Sequence, residues 1–319
     1  MKVLVVMPVN DSHKKILENA VGTGEVVYKT PADVCAEDLA EVDIIVGNVS
    51  PALLSNCKNL KLMQLNSAGT DGYTTPGVLP EGALLANATG SYGLAIAEHM
   101  IGTLLCMMKK FDKYRIDQEN HVWSDQGMVT SIYGSKTLVV GLGDIGNEFA
   151  VRMNALGSSV DAIRRTKAEK PEYIDNLYQM DKFYECLEEA DIVATCLPGT
   201  KDTYKLFDEK AFSHMKDGAY FINVGRGNAA DTDSHYNALE SGKLAGASVD
   251  VTDPEPLPAD HKLWNAKNVL ITPHISGGYH LQATHDKIIN IAATNIRHLV
   301  NGEPFENLVD MITGYRATM

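Results

Sequence analysis

The sequence predicts an α/β fold built from two doubly wound parallel sheets, and three observations predict it. Short runs rich in Val, Ile and Leu alternate with helical patterns almost throughout, as expected for parallel strands joined by crossover helices. The runs fall into two series separated by a long apolar helical stretch, and 319 residues are enough for two cores. At the head of the second series, Gly141-Leu142-Gly143-Asp144-Ile145-Gly146 lies between a β-rich run and a helix pattern.

The first series places strands near 2–7, 25–28, 43–46, 61–65 and 83–86. The second places them near 136–140, 160–163, 192–195, 220–223, 247–250 and 269–271. Between the series, 94–111 reads as a helix rich in Ala, Ile, Leu and Met. A second long helix spans 281–300 and stops at Asn301-Gly302, a usual helix end. These helices are the crossing points between units. The expected domains are therefore 1–94 with 288–319, discontinuous in sequence, and 95–287.

Composition excludes several classes of function. A net charge of −13 disfavours nucleic acid or an anionic membrane surface as the main partner. The opening run is short for a signal peptide, and the apolar stretch 100–108 falls well below the ~20 residues of a spanning helix. Cys35, Cys57, Cys106, Cys186 and Cys196 are scattered, with no CxxC pair. They read as reduced, mostly buried thiols of a cytoplasmic protein, and no metal site is expected.

The glycine turn has the order GxGxxG in a strand–turn–helix context. Gly141 permits the tight turn, Gly143 lets a pyrophosphate approach the backbone, and Gly146 allows close packing of helix on strand. Amides at the helix start, at Asp144 and Ile145, would hold the phosphates. The next strand should present the residue that selects the cofactor. An acid there suits the ribose of NAD, an arginine the 2′-phosphate of NADP. The strand ends in Arg164-Arg165-Thr166, which favours NADP(H). Asp161 is the rival by spacing but falls inside the strand, so NAD(H) is the second choice.

Three later strands run into chemically useful side chains. One leads to Gly225-Arg226-Gly227, one to Asp253-Pro254-Glu255-Pro256, and one to Pro273-His274. In open α/β sheets this edge is where ligands bind. Arg226 offers a charged planar fork for a carboxylate and an adjacent carbonyl oxygen, and the flanking Gly225 and Gly227 are expected to leave space around it. His274 is the candidate acid/base, since imidazoles titrate near pH ~6.5 and serve both directions. Glu255 would orient that imidazole, with Asp253 as a competitor.

These residues resemble the D-isomer-specific 2-hydroxyacid dehydrogenases along nearly the whole chain. The likeness runs through Asn66-Ser67-Ala68-Gly69-Thr70-Asp71, Ala97-Glu98-His99, the glycine turn, Cys196-Leu197-Pro198, Asn223–Gly227, Asp250-Val251 with Glu255-Pro256, and Pro273–Gly277. The resemblance implies a Rossmann coenzyme domain, a smaller flavodoxin-like substrate domain and a cleft between them. It implies homodimers paired largely through the coenzyme domain and its crossing helix. It assigns Arg226 to orienting and polarising the substrate, and it favours Glu255, five residues after Asp250, as the partner of His274. Asp250 is then expected near the nicotinamide and Cys196-Leu197-Pro198 beside the cofactor. The amides of Ala68 and Gly69 are expected to hold the substrate carboxylate.

Together these readings describe a 2-hydroxyacid dehydrogenase acting as an NADP(H)-dependent 2-keto acid reductase, with no metal. A formate-oxidising relative is disfavoured because Thr272-Pro273-His274 lacks the glutamine beside the histidine. A cofactor-sensing corepressor or scaffold that binds NAD(H) without significant turnover is the alternative from another class. Departures from the family pattern occur at Thr232 and at Gly278-Tyr279-His280-Leu281, where Tyr279 and His280 are candidates to shape the substrate pocket.

Overall fold

Apolar runs without polar interruption become strands covered on both faces, the usual condition of a parallel sheet flanked by helices. The computed structural model describes residues 1–314 and Ala317. The first series forms β1 (Lys2–Val5), α1 (Asp11–Val21), β2 (Glu25–Tyr28), the short α2 (Ala36–Leu39), β3 (Ile44–Val46), β4 (Leu62–Gln64) and β5 (Leu84–Ala86). Its strands are parallel in the order β2-β1-β3-β4-β5. That is the flavodoxin-like order, with its switch point between β1 and β3. Leu4, Ile45, Met63 and Leu85 fill one face of this sheet.

Two helices, α3 (Gly93–Met108) and α4 (Phe111–Glu119), precede the second series. The sequence suggested one helix as far as residue 111. Instead the chain breaks at Lys110, which takes a left-handed φ of 58°, and restarts at Phe111. Then follow β6 (Lys136–Val140), α5 (Asp144–Ala155), β7 (Ser159–Ile163), β8 (Asn176–Tyr178), α6 (Phe183–Glu189) and β9 (Ile192–Thr195). The series closes with α7 (Glu209–His214), β10 (Ala219–Asn223), α8 (Thr232–Glu240), β11 (Leu244–Val249) and β12 (Val269–Ile271). The strands are all parallel, in the order β12-β11-β10-β9-β6-β7-β8. The order reverses between β6 and β9, so the loops after those two strands flank the switch point where such sheets bind ligands.

Strand β8 had no counterpart in the sequence reading. It is a three-residue edge strand, Asn176-Leu177-Tyr178, with one exposed and two half-buried residues, so periodicity had little to act on. The core of this sheet is aromatic on one side. Phe207 lies 5.0 Å from Phe221, and Phe212 stacks on His235 with ring centroids 5.5 Å apart.

The chain divides into two compact units, Met1–Tyr92 with the chain from Tyr279 onward, and Gly93–Gly278. These limits differ from the expected 94/95 and 287/288. Helix α9 (Gln282–Asn301) belongs as a whole to the first unit, because its contacts are there. His13 in α1 meets Asp286 at 2.7 Å, and His285 bonds the Pro8 carbonyl at 2.6 Å. Farther along, Asn295 donates to the buried Gln64 of β4 at 2.6 Å. The helix ends at Gly302, whose left-handed φ of 70° makes a usual C-terminal cap.

Candidate active site

The three glycines of the first turn do three different things. Gly141 follows β6 with φ +101°, a conformation that side chains resist, and its amide donates to Ile163 at 3.0 Å. At Gly146 a Cβ would lie 2.2 Å from the Gly141 carbonyl oxygen, so only glycine lets α5 seat so close to β6. Gly143 is exposed, and a Cβ there would meet nothing within 4 Å. The space above Gly143, at the amide-lined start of α5, suits a pyrophosphate. The residues present therefore fit a dinucleotide.

Asp144 and Ile145 open α5 within this cradle. The Asp144 carboxylate is turned to a structural task, accepting from the Gly93 amide at 3.1 Å where α3 begins. Any contact of Asp144 with phosphate would thus use its backbone. At the end of β7, Arg164 is half-buried while Arg165 and Thr166 are exposed. The rival Asp161 is 3 % exposed and committed inside the sheet, to Asn176 at 2.9 Å and to Lys136 at 3.1 Å. Across the switch point, the Cys196 amide donates to the Val140 carbonyl at 2.9 Å. Burial pushes the Cys196 thiol up to about 12, which leaves it neutral and a poor nucleophile. Leu197 and Pro198 continue this loop, and the Pro198 carbonyl accepts from Thr203 at 2.6 Å.

Arg226, Glu255 and His274 all lie beyond the carboxyl ends of neighbouring strands β10, β11 and β12. The glycines beside Arg226 were expected to leave space. They do the opposite, letting backbones touch. A Cβ on Gly225 would sit 2.3 Å from the Leu197 carbonyl oxygen, and one on Gly227 only 1.9 Å from that of Thr252. The arginine turn is thereby wedged between the loop of Leu197 and the loop that carries Glu255.

His274 Nδ1 stands 2.5 Å from Glu255 Oε1, and both side chains are about half exposed. With Nδ1 committed to the carboxylate, Nε2 is the nitrogen left to exchange a proton with a substrate. The pair borders a cavity of about 320 Å³ floored by Leu257, Trp264 and Ile271. Asp253 is not the partner of the histidine. The Asp250 carboxylate, expected near the nicotinamide, is buried and bonded to Thr272, Ile275 and Ser276. Among the described residues no group of three or more His, Cys, Asp or Glu is arranged to hold a metal ion.

A family model described as D-isomer specific 2-hydroxyacid dehydrogenase, NAD binding domain, matches residues 101–276. The chain belongs to the D-isomer specific 2-hydroxyacid dehydrogenase family. A glyoxylate reductase of Thermofilum pendens is 31% identical over 268 residues, which cover 82% of this chain and 78% of that protein. Among solved structures, a D-isomer specific 2-hydroxyacid dehydrogenase family protein of Aeromonas salmonicida matches with a TM-score of 0.87 at 29% identity. The match covers 97% of this chain and 99% of that one. The NADPH-dependent glyoxylate/hydroxypyruvate reductase of Sinorhizobium meliloti, solved with NADP and sulfate, gives 0.83 at 26% identity, over 98% and 99%. As a 2-hydroxyacid dehydrogenase, the chain is an NAD(P)-dependent oxidoreductase acting on the CH–OH group of its donors.

In this 2-hydroxyacid dehydrogenase the Ser67–Gly69 turn belongs to the other unit, after β4. Asn87 donates to the Ala68 carbonyl at 2.8 Å and Ser67 to the Gly69 carbonyl at 2.7 Å, so both carbonyls of the turn are tied down. Tyr279 and Tyr92 close on the preceding residue, their hydroxyls bonded to the side chain and the carbonyl of Asn66. Burial pushes the Tyr279 phenol up to about 12, so it stays protonated. His280 is exposed. No helix among the described residues is long and apolar enough to cross a membrane.

Proposed function

We propose that the protein is an NADP(H)-preferring 2-keto acid reductase that forms the D-2-hydroxy acid. The observation that carries this reading is the His274–Glu255 pair at 2.5 Å, one strand away from the arginine turn. When bound, the nicotinamide cofactor supplies the hydride that reaches the carbonyl carbon. Arg226 holds the substrate carboxylate and stabilises the negative charge that grows on the carbonyl oxygen. His274 Nε2 delivers the proton to that oxygen, and in the reverse direction takes it from the hydroxyl. Glu255 fixes the ring and offsets its positive charge. The amides of Ala68 and Gly69 are proposed as a second hold on the carboxylate, with Tyr279 and His280 acting on the substrate side chain.

The preference for NADP(H) is supported by Arg164, Arg165 and Thr166 at the end of β7 and by the engagement of Asp161 elsewhere. A homodimer is supported by an exposed apolar run after α3, in which Phe111, Ile116, Val122, Trp123, Met128 and Tyr133 face solvent in the single chain. Light scattering of the wild type and of a Trp123→Ser, Tyr133→Ser double variant tests this, the variant being expected as a monomer. Free thiols suit a reducing, cytoplasmic setting.

The decisive test follows the absorbance of NADPH and NADH against a panel of 2-keto acids. Oxidation of NADPH at a higher kcat/KM than NADH supports the proposal. Binding of cofactor with no oxidation by any keto acid would overturn it in favour of a binding protein.

A further inference from the structure

We propose that Asn87 is a positioning residue, which aims the Gly69 amide at the substrate carboxylate by holding the Ala68 carbonyl. This inference rests on the proposed hold of Ala68 and Gly69 on that carboxylate. Four successive carbonyls along this turn each accept a bond from the protein. The Tyr92 hydroxyl donates to that of Asn66, and the Ala88 amide donates to that of Ser67 at 2.9 Å. Asn87 Nδ2 donates to the Ala68 carbonyl at 2.8 Å, and the Ser67 hydroxyl to that of Gly69 at 2.7 Å.

A trans peptide is a rigid plane in which the carbonyl of one residue and the amide of the next point opposite ways. Holding a carbonyl therefore aims the amide after it. The Ala88 bond to Ser67 aims the Ala68 amide, and the Asn87 bond to Ala68 aims the Gly69 amide. Two successive amides share one anion only while both planes keep their tilt, as in a nest. The plane between Ala68 and Gly69 borders a glycine, whose backbone is the freest of any residue, so it turns easily without that bond. One of the two aims thus belongs to backbone and the other to a single side chain. Asn87 is 3 % exposed, and its Oδ1 accepts from the Thr89 amide at 3.1 Å, so Nδ2 is the end that faces Ala68. Its carbonyl accepts from Gln64 Nε2 at 3.2 Å and its amide donates to the Asn307 carbonyl at 3.1 Å, which fixes the backbone that carries it.

The carboxylate keeps its charge throughout the reaction, so a hold on it serves bound substrate and transition state alike and shows in KM. Asn87→Ala is expected to raise the KM for the keto acid about fivefold or more, with kcat and NADPH affinity within about twofold of the wild type. The amide resonances of Ala68 and Gly69 in isotope-labelled protein report the aim without turnover. With NADPH bound, saturating oxamate, a keto acid analogue that accepts no hydride, should shift both resonances in the wild type. In N87A the Gly69 shift should fall to about half or less, while the Ala68 shift, aimed from the Ala88 backbone, persists. Should N87A fail to fold, Asn87→Asp keeps the size and the bond from Thr89, loses the donor, and is read in the same way. Equal loss of both shifts would overturn the proposal, since the whole turn would then have moved. A wild-type KM with wild-type shifts in the variant would overturn it too. No shift of either resonance in the wild type would sink the carboxylate hold itself, and this inference with it, so the two failures are told apart.

Discussion

His274 Nδ1 and Glu255 Oε1 stand 2.5 Å apart, two side chains from loops after adjacent strands and 19 residues apart in sequence. In the proposed mechanism the carboxylate holds Nδ1 and so leaves Nε2 as the nitrogen turned to the substrate. His274→Ala removes the proton donor and is expected to lower kcat by about 10²–10⁴-fold. Glu255→Gln keeps a hydrogen bond but loses the charge, and a smaller fall of about tenfold or more is expected. Both variants should bind NADPH as the wild type does. Steady-state kinetics with a parallel fluorescence titration checks this, and full turnover by His274→Ala would remove the histidine from the mechanism.

Gly143 and Gly146 lie three residues apart in one motif, yet their substitutions should fail in different ways. At Gly143 a methyl group meets open space, and φ is −95°, so Gly143→Ala should melt within a degree or two of the wild type. Its methyl occupies the space for the pyrophosphate, and NADPH affinity should drop about tenfold or more. At Gly146 the methyl meets the Gly141 carbonyl at 2.2 Å. Gly146→Ala should lose about 1–3 kcal/mol of stability even without cofactor. Thermal melts of the two apo variants distinguish them, and equal melting temperatures would contradict the packing role of Gly146.

Strands and their ends were legible because the chemistry that forms them is local. Ala219-Tyr220-Phe221-Ile222 and Val269-Leu270-Ile271 are short, largely apolar runs, and the polar residues after them mark the carboxyl edge of the sheet. Arg226, Glu255 and His274 could therefore be placed at that edge before any coordinates. Other features depend on partners distant in sequence. Nothing near Asp144 signals that its carboxylate caps α3 at Gly93, 51 residues away. The bonds of Asp250 to Thr272 and Ser276 close loops of 22 and 26 residues. Gly225 and Gly227 read as open space because a sequence does not show the carbonyls of Leu197 and Thr252 against them. The boundary near residue 279 was equally hidden, since only the contacts of α9 with α1 and β4 decide where that helix belongs.

Arg164 leaves β7 half-buried, its amide bonded to Tyr178 at 3.0 Å, so its backbone position is fixed by the sheet. A guanidinium there gains a charge-assisted bond from a 2′-phosphate and nothing comparable from a 2′-hydroxyl. Arg164→Ser should raise the KM for NADPH by about 10–100-fold, the equivalent of one such bond. The KM for NADH should change little. Kinetics with both cofactors on one keto acid is the measurement. An equal rise for both would mean that Arg164 holds a part the two cofactors share.

His235 provides the pH-dependent element of the larger sheet's core. It is 2 % exposed, stacks on Phe212 and contacts Phe221 edge-on at 5.3 Å. Among the described residues its Nε2 has no hydrogen-bond partner. Desolvation disfavours the charged ring and lowers its pKa to about 4. In the unfolded chain the same group titrates near ~6.5. As pH falls through that value the unfolded state takes up a proton that the folded state refuses, so stability rises with pH across this window. The loss should begin below about pH 6.5 and be complete near pH 4, amounting to about 3 kcal/mol. His235→Phe keeps the aromatic contacts and removes the titration. Its melting temperature should therefore fall less than that of the wild type between pH 7 and pH 5. The same acid-side slope in both proteins would assign the loss to other groups.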